Sequence, residues 1–270
     1  MNPTRICIAG VAGRMGQCLL ALTLKDPELK LVEALERRGH KWVGHHLSEV
    51  AGVEKGLGVV VDSDLHHEST AQVFIDFTEP VTASFHAKVC ADLKIPIIIG
   101  TTGVVGDEKD RIARAAEHIP VIHAPNFSVG VNVLFKLVEQ AAEALGDSYD
   151  VEIVEAHHNQ KEDAPSGTAL RLYQSVLKGF EPNAGYTAVH GRSSFNRGVR
   201  TKKEIGIHAI RMADVVGEHT VYFAIGGERI ELTHKASSRD TFARGALRAA
   251  KWIVGKDPGM YTMAQVLGLE

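Results

Sequence analysis

Arg5-Ile6-Cys7-Ile8-Ala9-Gly10-Val11-Ala12-Gly13-Arg14-Met15-Gly16 decides the fold of the first half of this chain. Arg5 to Ala9 reads as a short apolar strand, Gly10 to Gly16 as a glycine turn, and Gln17 to Leu24 as a helix. Strand, glycine turn and helix in immediate succession is the setting of a dinucleotide site, because glycines let the backbone approach a pyrophosphate seated on the helix N-terminus. The spacing is G-x-x-G-x-x-G, one residue off the standard form. Alone it also suits a turn that only lets a strand and a helix pack closely.

The next apolar run, Leu29 to Leu35, ends at Glu36, twenty positions beyond Gly16. An acidic side chain there accepts hydrogen bonds from an adenine ribose, and the second coincidence favours a nucleotide site. Arg37 and Arg38 follow. An arginine at this place suits a 2′-phosphate, so Glu36 and Arg37 together accommodate NADH or NADPH; a solvated pair of loop charges is the competing reading.

Further along, strands are expected at Gly58 to Asp62, Gln72 to Phe77, Ile95 to Ile99 and Val121 to His123. Helices are expected from Pro80 to about Ala91 and from Asp107 to His118. Alternating apolar strands and amphipathic helices predict an α/β fold, a Rossmann-like doubly wound parallel sheet. The loops at its strand ends, Gly10 to Gly16, Phe77, Gly100 to Thr102 and Ala124 to Phe127, should converge on one crevice.

After Ser128 the pattern changes. Helices are expected at Val131 to Leu145 and Ser166 to Phe180, a polar loop at Tyr186 to Arg200, and alternating segments at Glu204 to Met212, His219 to Ile225 and Arg229 to His234. Gly226-Gly227 between the last two is a hairpin signal. This half is expected to be an α+β domain with a mixed or antiparallel sheet. Helices at Thr241 to Val254 and Met263 to Leu267 close the chain. The expected division is residues 1–127 with 239–270 for the nucleotide, and 128–238 for substrate and oligomerisation.

Composition narrows the function. With 270 residues, a net charge of −3 and no basic run interleaved with aromatics, nucleic acid is not an expected partner. No window approaches the roughly 18 apolar residues of a membrane span, and the amino end lacks a signal-peptide pattern, so a cytoplasmic protein is expected. The three cysteines form no C-x-x-C pair and read as buried thiols. The histidine-rich loops carry no H-E-x-x-H spacing, and no metal site is expected.

The chemistry concentrates in Glu155-Ala156-His157-His158-Asn159-Gln160-Lys161-Glu162-Asp163-Ala164-Pro165-Ser166-Gly167-Thr168. Two imidazoles end a β-branched run, a lysine follows, and Ser166, Gly167 and Thr168 offer a hydroxyl and backbone N–H groups at a helix start. Such a set suits a dicarboxylate or anionic heterocycle. Strand alternation turns His157 and His158 to opposite sides. The plainer alternative is that Ser166 is an N-cap and the histidines pack at a domain seam.

With these stretches in place, the chain resembles the dihydrodipicolinate reductase family, also called 4-hydroxy-tetrahydrodipicolinate reductases, of bacterial and plant lysine and diaminopimelate biosynthesis. The likeness runs through the glycine turn, Asp76-Phe77-Thr78, Gly100-Thr101-Thr102-Gly103, Asn126-Phe127-Ser128-Val129-Gly130, the E-x-H-H-x-x-K-x-D-x-P-S-G-T-A run and Val216-Gly217-Glu218-His219. It implies an oxidoreductase in which NADH or NADPH delivers a hydride to a cyclic unsaturated dicarboxylate, giving tetrahydrodipicolinate. It implies His157 as acid/base and Lys161 as proton donor, with His158, Ser166, Gly167 and Thr168 binding substrate. Gly10, Val11, Ala12, Gly13, Arg14, Met15, Glu36, Arg37, Phe77, Gly100, Thr101, Thr102, Ala124, Pro125, Asn126 and Phe127 would line the cofactor. A homotetramer built through the second domain's sheet is also implied. Two positions depart from the family pattern: Asn159-Gln160 where relatives can carry basic residues, and Ala213 where a glycine is expected before the acidic Asp214.

Two rival readings fit the residues less well. A cysteine-nucleophile aldehyde dehydrogenase fits poorly, since Cys7 falls within a strand and Cys90 within a helix. An NAD(P)-binding redox-sensing regulator without turnover would leave the His-His-Lys cluster without a purpose.

Overall fold

The computed structural model describes residues 2–51, 53, 58–180, 185–192 and 198–270. The chain divides into two units, residues 1–128 with 239–270 and residues 129–238.

The first unit is built on a sheet of seven strands: β1 (Thr4–Ala9), β2 (Leu29–Leu35), β3 (Val61–Asp62), β4 (Val73–Asp76), β5 (Ile97–Ile99), β6 (Pro120–His123) and β12 (Gly259–Tyr261). They run β12-β6-β5-β4-β1-β2-β3, all pairs parallel. Parallel strands covered on both faces read as continuous apolar runs, and Ile97, Ile98 and Ile99 are buried without exception. One face packs on α1 (Arg14–Thr23), α7 (Asp240–Ile253) and α8 (Met263–Leu267) through Leu19, Leu20, Ala246, Ala250 and Val266. The other packs on α3 (Pro80–Leu93) and α4 (Gly106–Ala116) through Ala83, Ala87, Cys90 and Ile112. The sheet is doubly wound, and the direction of winding reverses between β1 and β4. Ligands of such sheets bind outside the strand carboxyl ends at that reversal.

The second unit is a five-stranded mixed sheet, in order β11-β10-β7-β9-β8. β7 (Asp150–His157) is antiparallel to β10 (Gly217–Ile225) and parallel to β9 (Glu204–Arg211). β10 and β11 (Glu228–Ala236) form the hairpin expected at Gly226-Gly227. Val151, Ile153, Ile205, Ile207, Val221 and Phe223 alternate onto one face and pack against α5 (Val129–Leu145) and α6 (Gly167–Gly179).

Among the described residues, β12, α2 (Leu47–Val50), β8 (Thr187–His190) and a 3-10 turn at Gly146–Ser148 have no counterpart in the sequence expectations. β12 spans three residues, too few to show a period, and gains its place by pairing with β6. The short helix α2 lies in the polar Gly39 to Thr70 stretch. β8 occupies part of the expected loop at Tyr186 to Arg200, its polar side chains masking a strand that pairs in parallel with β9. The rest of that expected loop includes residues 193–197, outside the described residues. No helix among the described residues is long and apolar enough to cross a membrane.

Candidate active site

In the first unit, the turn after β1 is shaped by two glycines with different duties. Gly10 sits at φ +65, in the left-handed region. At Gly16 a Cβ would fall 2.1 Å from the Gly10 carbonyl oxygen, so only glycine lets α1 pack this close to the strand. The first intrahelical bond of α1 runs from Gln17 N–H to the Gly13 carbonyl at 2.9 Å. That leaves the N–H groups of Arg14, Met15 and Gly16 at the helix start without intrahelical acceptors, and no side chain caps it. Gly13 and Arg14 are exposed, so this is a cradle for an anion with the helix dipole behind it.

Glu36, at the end of β2, reaches the same turn. Its Oε1 accepts the Ala12 N–H at 2.9 Å and its Oε2 the Arg37 N–H at 3.1 Å. Each oxygen keeps a further lone pair for a ribose hydroxyl. Arg38 is committed to Asp64 at 3.0 Å, which gives it the solvated-pair reading, whereas Arg37 stands exposed beside Glu36.

The other loops at the strand ends are tied to one another. Asp76, fully buried, accepts the Thr78 N–H at 2.7 Å and the Thr78 hydroxyl at 2.6 Å, and its other oxygen meets His86 Nδ1 at 2.6 Å. Thr101 Oγ1 donates to the Thr78 carbonyl at 3.1 Å. Gly100 leaves room for Phe77, whose ring would lie 2.1 Å from a Cβ there, and Phe77 packs on Phe127 at 5.5 Å between centroids. Thr102 and Pro125 are exposed on these loops, Asn126 is half-buried, and Ala124 and Phe127 are buried. Val11 is also buried, with its N–H bonded to the Leu35 carbonyl and its carbonyl accepting from Gln17, so it shapes the turn and offers nothing outward.

In the second unit the focus is Glu155, a carboxylate with no exposed surface in the penultimate pair of positions on β7. Alternation puts Glu155 and His157 on one face of the sheet. Glu155 Oε2 receives His157 Nδ1 at 2.5 Å and Arg211 NH1 at 2.9 Å; Oε1 receives Arg211 NH2 at 2.9 Å and the Ser166 N–H at 3.1 Å. Burial raises the Glu155 carboxyl, but the bonds from His157, Arg211 and Ser166 outweigh it and hold the group down to about 2. It is a carboxylate at any physiological pH.

Ser166 is 2% exposed. Its hydroxyl caps α6 by accepting the Ala169 N–H at 3.2 Å, and meets His219 Nε2 at 3.1 Å. Burial, and after it the charge of His157, pull His219 down to about 3 against the opposing pull of Glu155, so this imidazole is neutral. The capping bond expected of Ser166 is present in its side chain. Gly167 remains exposed at the start of α6, and Thr168 is buried beside it.

His157 stacks edge-on against His219 at 5.1 Å and leaves Nε2 facing Gly217, where a Cβ would come within 3.2 Å. His158 lies just past the strand end, where alternation no longer dictates its direction, and its carbonyl accepts the Lys161 N–H at 3.2 Å. Lys161 Nζ meets Asp163 Oδ1 at 2.6 Å, and Arg211 NH2 donates to the Asp163 carbonyl at 2.6 Å. One guanidinium thus ties the lysine-bearing loop to the carboxylate beneath His157. Arg211 and His219 went unseen in the sequence because they reach the cluster through strand pairing, His219 opposite Glu155 and Arg211 opposite His157. Glu155 alone had a local signal, its position two residues before His157.

Comparison with known proteins gives the family. Residues 4–127 match the family model described as dihydrodipicolinate reductase, N-terminus, and residues 130–267 that of the C-terminus. The chain belongs to the dihydrodipicolinate reductase family. A 4-hydroxy-tetrahydrodipicolinate reductase from Thiobacillus denitrificans is 49% identical over 98% of this chain and 99% of its own length. One from Magnetococcus marinus is 48% identical over 98% and 99%. Among solved structures, the dipicolinate-bound dihydrodipicolinate reductase from Paenisporosarcina sp. TG-14 is 26% identical, with a TM-score of 0.74 over 97% of this chain and 98% of that one. The same comparisons make the chain a member of an oxidoreductase family whose nucleotide-binding fold takes a nicotinamide cofactor.

Proposed function

We propose that this protein reduces 4-hydroxy-tetrahydrodipicolinate to tetrahydrodipicolinate with NADH or NADPH, in diaminopimelate and lysine biosynthesis. The observation that carries the reading is the grouping of His157, Lys161 and the exposed start of α6 at one end of the second sheet. A bound nicotinamide would supply the hydride; every other part falls to this chain's residues. The α1 start and the Gly10 to Met15 turn would hold the pyrophosphate, with Glu36 on the ribose and Arg37 beside a 2′-phosphate. Phe77, Gly100, Thr101, Thr102 and the Ala124 to Phe127 loop would wall the nicotinamide end.

On the substrate side, His158, Gly167 and Thr168 would hold a carboxylate, the two N–H groups contributing charge-assisted hydrogen bonds. The 4-hydroxyl leaves as water, giving the unsaturated ring that takes up the hydride; Lys161 would leave Asp163 to protonate the reduced ring, and His157 would act as acid/base through Nε2. Holding the reacting atoms about 3–3.5 Å apart removes most of the entropic barrier of a two-body step.

We also propose a homotetramer working in the cytoplasm. The sheet face opposite α5 and α6 carries Val154, Thr220, Tyr222, Thr233 and Ile210 in register, and supports assembly through it. Light scattering on the purified chain tests this, with a monomer contradicting it. For the activity, the absorbance of NADH and, separately, of NADPH is followed after adding freshly formed dihydrodipicolinate synthase product. Substrate-dependent loss is expected; its absence contradicts the proposal and would favour a cofactor-binding regulator.

A further inference from the structure

Among the described residues, Glu155 is surrounded by four donors and no acceptor. Two come from the Arg211 guanidinium, one from His157 Nδ1 and one from the Ser166 backbone. A carboxylate satisfies all four, whereas an amide would turn its own N–H₂ against two donors in either orientation. The group is fully buried, so an unmade bond there is costly. A buried carboxylate bonded to one nitrogen of an imidazole fixes which nitrogen carries the proton and which faces outward.

We propose that Glu155, clamped by Arg211, is the positioning residue of this reductase: it holds His157 as the Nδ1–H tautomer with Nε2 free for proton transfer, and with the same carboxylate pins the start of α6. Its importance for turnover rests on the reductase reading; its hold on the imidazole does not. Arg211 supplies the rigidity, since its two parallel bonds to Glu155 fix the plane of the carboxylate and its third, to the Asp163 carbonyl, fixes the loop bearing Lys161. The groups facing His157 are Glu155 on β7, Arg211 on β9 and His219 on β10, with Lys161 on the following loop.

The test begins with the wild-type chain labelled with ¹⁵N-histidine and studied at about pH 9, above the ordinary titration range of an imidazole. Two-bond ¹H–¹⁵N spectra distinguish the tautomers, with His157→Asn supplying the assignment. We expect Nδ1–H for His157 in the wild type and loss of that preference in Glu155→Gln. An Nε2–H wild type, or an unchanged tautomer in the variant, overturns the proposal. In steady-state assays Glu155→Gln should lower kcat at least about tenfold, part of the ~10²–10⁴ that a positioned proton carrier contributes, while KM moves less than about threefold. An unchanged kcat in an active wild type also overturns it. If Glu155→Gln does not fold, the wild-type spectrum stands alone, and Arg211→Lys, which keeps the charge but not the fork, should lower kcat with the tautomer retained. A wild type that shows the tautomer but no turnover would sink the reductase reading and leave the positioning of His157 intact.

Discussion

The backbone N–H of Ala12 donates to Oε1 of Glu36 across 2.9 Å, joining the glycine turn after β1 to the end of β2. The carboxylate that should read the ribose is therefore already oriented by the turn that should hold the pyrophosphate. A hydrogen bond to a charged group contributes roughly 1.5–3 kcal/mol, so Glu36→Ala should weaken NADH binding by at least about tenfold. NADPH should lose less, because Arg37 remains for its 2′-phosphate, and Arg37→Ala should weaken NADPH selectively. Parallel fluorescence titrations of both nucleotides check this; equal losses for both would separate Glu36 from ribose recognition.

Lys161 is held by Asp163 on a loop that Arg211 braces from below. Its removal should take away a proton donor without disturbing the first unit. Lys161→Ala is expected to lower kcat by at least about a hundredfold, within the usual range of general acid catalysis, while NADH binding persists. An unchanged kcat would remove Lys161 from the proton transfer.

Ala213 lies at φ +43, and its carbonyl accepts the Asn159 N–H at 3.1 Å. The family's expected glycine thus has a physical reason, and alanine here is strained. The left-handed conformation costs an L-residue about 1–2 kcal/mol, while glycine loses about 0.4–1 kcal/mol through its freer unfolded chain. Ala213→Gly should raise stability by up to about 1.6 kcal/mol, seen as a higher denaturant midpoint. A lower midpoint contradicts this balance.

His219 is neutral when folded, with its value lowered from 6.5 to about 3. Between those values the unfolded chain binds a proton that the folded chain refuses. Its contribution to stability is therefore complete above pH 6.5 and falls as pH drops toward 3. The slope reaches about 1.4 kcal/mol per pH unit for one proton. Glu155, lowered from 4.5 to about 2, adds a second loss, complete above pH 4.5 and declining below it. Denaturation of His219→Gln from pH 6.5 to 4.5 should show a flatter decline than the wild type; an equal slope would mean that His219 is charged in the folded chain.

Much of the first unit was legible because its signals are local. The Gly10 to Gly16 turn, the end of β2 at Glu36 and the apolar strand runs each declare themselves within a few residues. The short β12 and β8 were not legible, since three or four residues carry no period and only pairing makes them strands. In the second unit His157, Lys161 and the α6 start were readable as a motif, but their support was not. Arg211 and His219 lie more than fifty positions from Glu155 and meet it only through the register of β9, β7 and β10. The N-cap bond of Ser166 was legible from its place just before the α6 run.

The most direct test of the central claim follows the hydride itself. The protein is given NADH deuterated at nicotinamide C4 together with 4-hydroxy-tetrahydrodipicolinate, and the product is analysed by mass spectrometry. We expect tetrahydrodipicolinate carrying deuterium from one face of the nicotinamide. Turnover without label in the product, or no turnover with a chain that binds NADH, would contradict it.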